Sequence, residues 1–222
     1  MSWTNPTKRC GASRHRAGRS TSASSWDWAE AIEPLKIFSY GSNMSSRRLA
    51  ARIPSARFIA TGHVVGYTLR FHKKGRLDSS GKANMHHTGS EEDRVWGVVW
   101  EIDPAHKPEL DRVEGLGAGY EEEWVEVRVV DASSEPGGGR SVSAEAVGSG
   151  SGVPARAYVA DPAYIDDRLL PYEWYLDFVL AGAREHGLPE VYVAAIEARE
   201  STRDPDEERR ERNRRILGGP PD

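Results

Sequence analysis

Cysteine is nearly absent from this chain of 222 residues, which contains only Cys10. A single cysteine excludes an intramolecular disulfide framework and any metal site built on several thiolates. Chains without disulfides are typical of reducing compartments, so we expect a cytoplasmic protein. The sequence also lacks a run of about 18 apolar residues, the length that a transmembrane helix needs, so no membrane partner is expected.

A strong charge of either sign is missing as well. The formal net charge is −4 and the isoelectric point is about 6.0. Such a chain has no general attraction for nucleic acid or for acidic lipid, and we expect neither as a partner. Hydrophobic residues make up 38% of the chain. That fraction and this length suit one well-filled core but not two domains of ordinary size.

Three segments lack the composition of a folded domain. Residues 1–33 are predicted to be a disordered N-terminal arm, although the first 26, rich in Arg and Ser and free of acids, also fit an organelle transit peptide. Residues 131–152 contain six Gly, six Ser and no aromatic residue, which predicts a flexible surface loop. Residues 201–222 are predicted to be a charged C-terminal tail, solvated or partly helical. One domain is therefore expected over residues 34–200.

The rest of the chain alternates between strand and helix patterns. Short apolar or β-branched runs predict strands at residues 34–40, 56–74, 93–102, 120–130 and 154–162, the second being a bent strand or a hairpin. Capping and stop residues predict helices at 45–53, 103–115, 171–187 and from 188 onwards. This order predicts a single α+β domain, with a small mixed, barrel-like β-sheet of five to six strands and flanking helices.

One junction between a strand and a helix has the features of a ligand site. The stretch FSYGSNMSSRRL (38–49) passes through Gly41, Ser42 and Asn43. Glycine lets a ligand approach the backbone, and free N–H groups at a helix start attract a carboxylate or phosphate. The stretch lacks the spacing of a phosphate loop or a dinucleotide fingerprint, so a small carboxylated ligand is expected. Taken alone, the tripeptide Gly-Ser-Asn is more often an ordinary turn.

Glu114 is a candidate for proton transfer. It lies in the last turn of a predicted helix, where the negative end of the helix dipole raises the pKa of a carboxyl group, and burial would raise it further. A carboxylate with a raised pKa can move protons near neutral pH. On spacing alone, an exposed glutamate at a helix end is the commoner case. The adjacent His86 and His87 point to opposite faces of an extended chain, so no metal site is expected.

Five blocks follow one another between about residues 35 and 200: IFSYGSNM, DRVWGVVWEID, LDRVEGLGAGYEEEWVEV, ARAYVADP and AGAREHGLP. In this order and spacing they resemble the γ-glutamylcyclotransferase family of the AIG2-like superfamily. The resemblance implies that family's fold and a lyase-type reaction that needs no cofactor or metal. The α-amine of a γ-glutamyl amino acid attacks its own γ-carbonyl, and 5-oxoproline and a free amino acid are formed. The partner it implies is a γ-glutamyl dipeptide, and a homodimer is left open.

The resemblance also assigns site residues. Glu114 is implied as the proton acceptor, and the loop strand is implied to hold the γ-glutamyl head. Two later tyrosines, on the following strands, contribute to the pocket. The implied substrate-binding residues are Ile37, Phe38, Ser39, Tyr40, Gly41, Ser42, Tyr120 and Tyr158.

Other activities on the same scaffold stay open. The loop Tyr40–Asn43 matches the dipeptide-acting branch better than the YGSL loops of relatives specific for glutathione or the YGTLK-like loops of the γ-glutamylamine branch. A binding module that has lost turnover is a further alternative, but the presence of Glu114 favours catalysis. The polar stretch 71–85, predicted as a loop, either forms part of the pocket rim and selects the leaving amino acid or is an ordinary surface loop.

Overall fold

Strands and helices alternate along the part of the chain that the computed structural model describes, residues 33–130 and 152–218. The strands are β1 (Leu35–Ser39), β2 (Arg57–Val65), β3 (Tyr67–Lys74), β4 (Gly81–His87), β5 (Arg94–Ile102), β6 (Tyr120–Val129) and β7 (Val153–Ala160). The helices are α1 (Ser46–Ala50), α2 (Lys107–Glu114), α3 (Glu173–Glu185), α4 (Glu190–Glu197) and α5 (Glu207–Gly218). The predicted N-terminal arm up to residue 32 and the predicted loop at 131–151 lie outside the described residues.

Five strands close into a barrel in the order β1, β5, β2, β6, β7. The closing pair, β1 and β7, is parallel at Ile37 and Arg156, and the other neighbouring strands are antiparallel. Buried side chains such as Phe38, Val98 and Val127 fill the core that the barrel and helices share. Closure leaves these five strands without an open edge. The mixed barrel with flanking helices confirms the predicted α+β fold class.

The strands β3 and β4 form a separate two-stranded sheet. Residues 56–74, predicted as one bent strand or hairpin, are divided at Gly66 (φ 87°), and β3 then pairs with β4 and not with β2. The prediction of a polar loop at 71–85 was wrong, because Gly81 to Met85 lie in β4. The buried Asn84 is tolerated in this strand since its amide pairs with the His72 ring at 2.9 Å and accepts from the Ala160 N–H at 2.9 Å.

Two short helices, α1 and α2, position the chain segments that surround the site. Ser45 caps α1, and its Oγ accepts from the Arg48 N–H at 3.5 Å, so the predicted helix at 45–53 is present but ends earlier. The Asp103 carboxylate accepts from the Ala105 N–H at 2.8 Å and begins a 3₁₀ turn that leads into α2. The helix α2 ends at Gly115, whose φ of 76° is left-handed. Glu114 is therefore the last residue of α2, as predicted.

The helix α3 packs directly on the 3₁₀ turn Ser42–Met44 that follows β1. A Cβ at Gly182 would lie 2.4 Å from the Ser45 nitrogen and 2.5 Å from the Met44 carbonyl carbon. Glycine is needed there because the two backbones touch. On the same helix Phe178 and Val179 are fully buried. The packing of α3 thus fixes the position of the turn.

The segment predicted as a charged tail contains α5 and contributes buried side chains. Asp204 is fully buried, and its carboxylate accepts from the Trp174 indole at 2.7 Å and from Arg209 Nε at 2.7 Å. On α5, the buried Asn213 accepts from Arg48 Nη1 at 3.0 Å. Pairing of charged and polar groups, rather than an apolar stripe, attaches this helix. Over the described residues, no helix combines the length and apolar character needed to cross a membrane.

Candidate active site

A cavity of about 400 Å³, including its open mouth, lies between the end of β1, the C-terminal end of α2 and the helix α3. It is lined by Ile37, Phe38, Ser39, Tyr40, Gly41, Ser42, Asn43, Ala83, Leu110, Glu114, Tyr120, Tyr158 and Tyr175. All nine residues named from the sequence are in this set, so the structure brings them together. Their roles stay predictions.

Glu114 reaches the cavity from the end of α2. The residue as a whole is half-buried, but its carboxylate is surrounded by protein groups. Its Oε1 accepts a hydrogen bond from the side-chain amide of Asn43. The amide oxygen of Asn43 in turn accepts from Arg52 Nη1 at 2.7 Å. Asn43 thus connects Glu114 with the loop after β1 and, through its amide oxygen, with the Arg52 guanidinium.

Burial raises the pKa of Glu114 above that of an ordinary glutamate. The positive charges of Arg52, Arg48 and Lys73 and the hydrogen bond from Asn43 oppose this effect by favouring the carboxylate, but burial is the largest cause. A carboxyl group balanced in this way is better suited than an ordinary glutamate both to accept and to return a proton. This is the property that its position at the helix end suggested.

The loop after β1 is tightly packed. A Cβ at Gly41 would lie 2.9 Å from the Ala83 Cβ on β4 and 3.3 Å from the Tyr175 hydroxyl, so the protein itself requires glycine there. The Ser42 hydroxyl accepts from Arg48 Nε at 3.1 Å. In the described ranges, the backbone N–H groups of Ser42 and Asn43 have no hydrogen-bond partner. Both donors belong to residues that line the cavity.

Four tyrosines surround the cavity, and each hydroxyl has a defined partner. Tyr40 donates to the carbonyl of Tyr158, and Tyr120 donates to the carbonyl of Ala83 at 2.5 Å. The Tyr175 hydroxyl accepts from the Ala83 N–H at 3.1 Å. Burial raises the pKa of all four phenols, so they stay neutral and act only as hydrogen-bonding groups.

Tyr158 is tied to the helix that carries Glu114. Its hydroxyl donates to Asp111 Oδ1 at 2.6 Å. The same carboxylate pairs with Lys107, one turn earlier on α2. The strand β7 and the helix α2 are therefore joined beside the cavity, which restricts the movement of Glu114.

Two buried cations lie behind the lining residues. The Arg48 guanidinium packs 4.3 Å from the centre of the Phe178 ring, and burial lowers its pKa to about 9. The Lys73 ammonium lies 4.2 Å from the centre of the Tyr120 ring, and burial likewise lowers its pKa. Together with Arg52 they place three positive charges around a single glutamate.

Four lining residues were not among the nine assigned to the site from the resemblance: Asn43, Ala83, Leu110 and Tyr175. Asn43 stands inside the YGSN motif, so the motif itself was a signal for it. Ala83 was overlooked because its strand was interpreted as a loop. Tyr175 lies on α3, far along the chain, and nothing local in the sequence connects it with the site. Within the described part of the chain, no three His, Cys, Asp or Glu side chains are grouped to hold a metal ion.

Comparison with known proteins gives relatives in sequence and in structure. The AIG2-like family model matches residues 94–196. The human protein named γ-glutamylcyclotransferase is 28% identical over 173 residues, covering 75% of this chain and 79% of the human protein. The bovine protein of the same name is 27% identical over 164 residues, covering 72% and 76%. A solved structure named γ-glutamyl cyclotransferase is 25% identical with a TM-score of 0.66, covering 84% of this chain and 100% of that one. The predicted resemblance is confirmed.

Proposed function

We propose that this relative of the γ-glutamylcyclotransferases converts a γ-glutamyl amino acid to 5-oxoproline and a free amino acid. One observation carries the proposal: the Glu114 carboxylate, whose pKa burial raises, faces a small cavity bounded by the segment from Tyr40 to Asn43. A base of this kind beside unpaired backbone donors suits a substrate that carries an ammonium and a carboxylate on one carbon.

The γ-glutamyl head binds, in this proposal, between the loop after β1 and the end of α2. The N–H groups of Ser42 and Asn43 donate to its α-carboxylate. Its α-ammonium lies at Glu114, the one anion among the residues that line the cavity. Tyr40 and Tyr120 already donate their protons within the protein, so they shape the walls rather than bind charge.

Catalysis requires the attacking nitrogen to lose two protons and the departing nitrogen to gain them. Glu114 accepts a proton from the α-ammonium, and the freed amine attacks the γ-carbonyl carbon to close a five-membered ring. Glu114 returns that proton to the departing nitrogen as the amide bond to the leaving amino acid breaks, and it then accepts the second proton of the ring nitrogen and passes it to the free amino acid, which leaves as an ammonium. A neutral hydroxyl group of the lining residues steadies the oxyanion that forms in between.

Ring closure is intramolecular, which explains why a small cavity with one base is sufficient. Well-oriented groups in one molecule react with effective concentrations of about 10⁵ M or more. The protein has chiefly to fold the glutamyl chain so that its amine reaches its γ-carbonyl. The chemistry involves no change of oxidation state, so the proposed reaction uses no cofactor.

The test is release of 5-oxoproline by the purified protein from γ-Glu-Ala, glutathione and γ-glutamyl-lysine. We expect turnover of γ-Glu-Ala, and we expect Glu114→Gln to lower kcat by about 10² to 10⁴, the usual range for loss of a general base. The thermal midpoint of the variant should stay near that of the wild type, because glutamine keeps the hydrogen-bonding shape. Glu109→Gln, at a half-buried glutamate on the same helix that pairs with Arg112 and does not line the cavity, is the matched control.

Other outcomes identify the alternatives. Turnover restricted to glutathione or to γ-glutamyl-lysine assigns the neighbouring specificities. Binding of γ-Glu-Ala without any turnover assigns a binding module. Full activity in Glu114→Gln rejects the mechanism. Dimerisation, which the sequence leaves open, and the predicted cytoplasmic location are tested separately, by light scattering and by cell fractionation.

A further inference from the structure

Lys73 is a buried cation that the proposed mechanism does not use. It lies near the end of β3, is only 3% exposed, and has its ammonium against the face of the Tyr120 ring. Its charge is felt by Glu114, and no hydrogen bond to a side chain or backbone group stabilises it among the described residues. Most of this lysine is buried, which lowers its pKa, and its ammonium has only the face of an aromatic ring as a neighbouring partner, so its presence calls for a reason other than stability.

Two other cations near the site that are buried or half-buried differ from Lys73 because each has a hydrogen-bonding partner. Arg48 donates to Ser42 and to Asn213, at 3.1 and 3.0 Å. Lys82, the next buried lysine, pairs with Asp78 at 2.7 Å. Lys73 therefore stands out as the buried cation that is left to pair with a ligand.

The backbone around Glu114 makes room for this lysine. A Cβ at Gly119 would lie 2.7 Å from the Lys73 Cε and 2.8 Å from its Nζ, so a side chain there would displace the end of the lysine. Arg76, in the turn after β3, reaches within 3.9 Å of the Cβ position of Gly115. Two positive charges thus lie along the Gly115–Gly119 segment, immediately after the proposed base.

In the proposed binding mode the leaving group emerges on this side, where Tyr120 lines the cavity and Lys73 lies directly behind its ring. The γ-glutamyl head lies against the loop after β1, and Glu114 has to reach both the α-nitrogen and the departing nitrogen. The part of the substrate beyond the scissile bond therefore extends past Glu114, toward Tyr120 and the cations behind it. An amino acid carries a carboxylate one carbon away from that nitrogen, whereas a simple amine does not.

We propose that Lys73, assisted by Arg76 at the outer edge, binds the carboxylate of the leaving amino acid and so makes the site prefer γ-glutamyl amino acids to γ-glutamylamines. This inference rests on the proposed function. The sequence suggested the whole stretch 71–85 for selection of the leaving amino acid. This inference assigns that role to two of its residues, Lys73 near the end of β3 and Arg76 in the turn that follows.

A matched pair of substrates isolates that carboxylate. γ-Glu-Ala and γ-glutamylethylamide share the glutamyl head and differ only in the carboxylate of the leaving group. A charge-assisted hydrogen bond contributes about 1.5 to 3 kcal/mol, or roughly a 10- to 150-fold preference. We expect the wild type to favour γ-Glu-Ala by that factor in kcat/KM, and Lys73→Met to lower the ratio about tenfold or more. Arg76→Gln, at an exposed position, should lower it less than about fivefold.

Two controls separate specificity from other roles. Lys74→Met makes the same change at the neighbouring exposed position and should leave the ratio as it is. If Lys73 served only to adjust the pKa of Glu114, Lys73→Met would displace the pH profiles of both substrates equally and leave their ratio unchanged. Lys73→Met should also unfold at the same temperature as the wild type or higher, since it removes an unpaired buried charge.

Binding measurements make failure of this inference distinguishable from failure of the proposed function. Calorimetric titration of both compounds into Glu114→Gln, with and without Lys73→Met, needs no turnover. Lys73-dependent binding of γ-Glu-Ala without 5-oxoproline release by the wild type keeps the inference and rejects the enzyme. Turnover with an equal preference for the two substrates keeps the enzyme and overturns the inference. Absence of both binding and turnover overturns both.

Discussion

Replacing Gly182 by alanine should improve the helix propensity of α3 but worsen its packing. In an exposed helix the change stabilises by about 1 kcal/mol. In α3 the new Cβ would lie 2.4 Å from the Ser45 nitrogen, 2.5 Å from the Met44 carbonyl carbon and 2.6 Å from the Met44 Cβ. The two nearest of these are backbone atoms, which cannot rotate away.

The magnitude follows from these two opposing effects. Overpacking in a filled core costs about 1 to 3 kcal/mol, and contact with backbone belongs at the upper end of that range. After the gain in propensity, the free energy of unfolding should fall by about 2 kcal/mol. For a domain of this size that corresponds to a thermal midpoint lower by about 4 to 8 °C.

The same substitution should reduce activity, because α3 holds the turn that carries Ser42 and Asn43 into the cavity. A displacement of about 1 Å in a positioning group can cost roughly a hundredfold in rate. Urea denaturation and the kcat/KM for γ-Glu-Ala measure the two effects. Gly218→Ala, where nothing lies within 4 Å of the new Cβ, is the control and should change stability by less than about 0.5 kcal/mol. A Gly182→Ala protein as stable and as active as the wild type would refute the reasoning.

Two further predictions concern the charged residues around the cavity. Because Glu114 must be unprotonated to act, kcat/KM should fall as the pH drops through its pKa, and burial places this fall above the pH of an ordinary glutamate. Arg52→Gln removes the first of the charges that oppose burial, so the pH profile of kcat/KM should move to still higher pH, and an unmoved profile contradicts the assignment. Asn213→Leu leaves a buried N–H of Arg48 without its acceptor and should lower the free energy of unfolding in urea by about 1 to 3 kcal/mol. If Arg212→Leu, on the exposed side of the same helix, lowered the free energy of unfolding equally, loss of the hydrogen bond between Arg48 and Asn213 would not be the cause.

Local rules were sufficient where the structure depends on local chemistry. The cap at Ser45, the first-turn Pro104 and the stop at Gly115 are each set by a few neighbouring residues, so the sequence placed Glu114 at the end of a helix. The strand ending before Tyr40 was recognised for the same reason. What the sequence could not show is how far Glu114 is buried, because that depends on elements distant in the chain.

The sequence failed where pairing over long distances decides the structure. The strand β4 alternates buried apolar residues with Lys82 and Asn84, which made it look like a polar loop. Asn84 becomes acceptable in a core only because His72 and Ala160 satisfy its amide. The helix α5 has little apolar surface because polar contacts help to attach it. Its buried Asn213, for example, accepts a hydrogen bond from Arg48 on α1.

The balance of charge in the cavity connects binding with release. Three cations, Arg48, Arg52 and Lys73, surround the single carboxylate of Glu114, while the four tyrosines stay neutral. A γ-glutamyl dipeptide carries two carboxylates and one ammonium, so its net negative charge matches this environment. On the proposed mechanism the ammonium is consumed, because its nitrogen becomes the amide of 5-oxoproline. The product therefore keeps a carboxylate but has lost the group that paired with Glu114, and it faces a like charge there. Turnover itself removes the attraction that held the substrate, which favours release of the ring after each cycle.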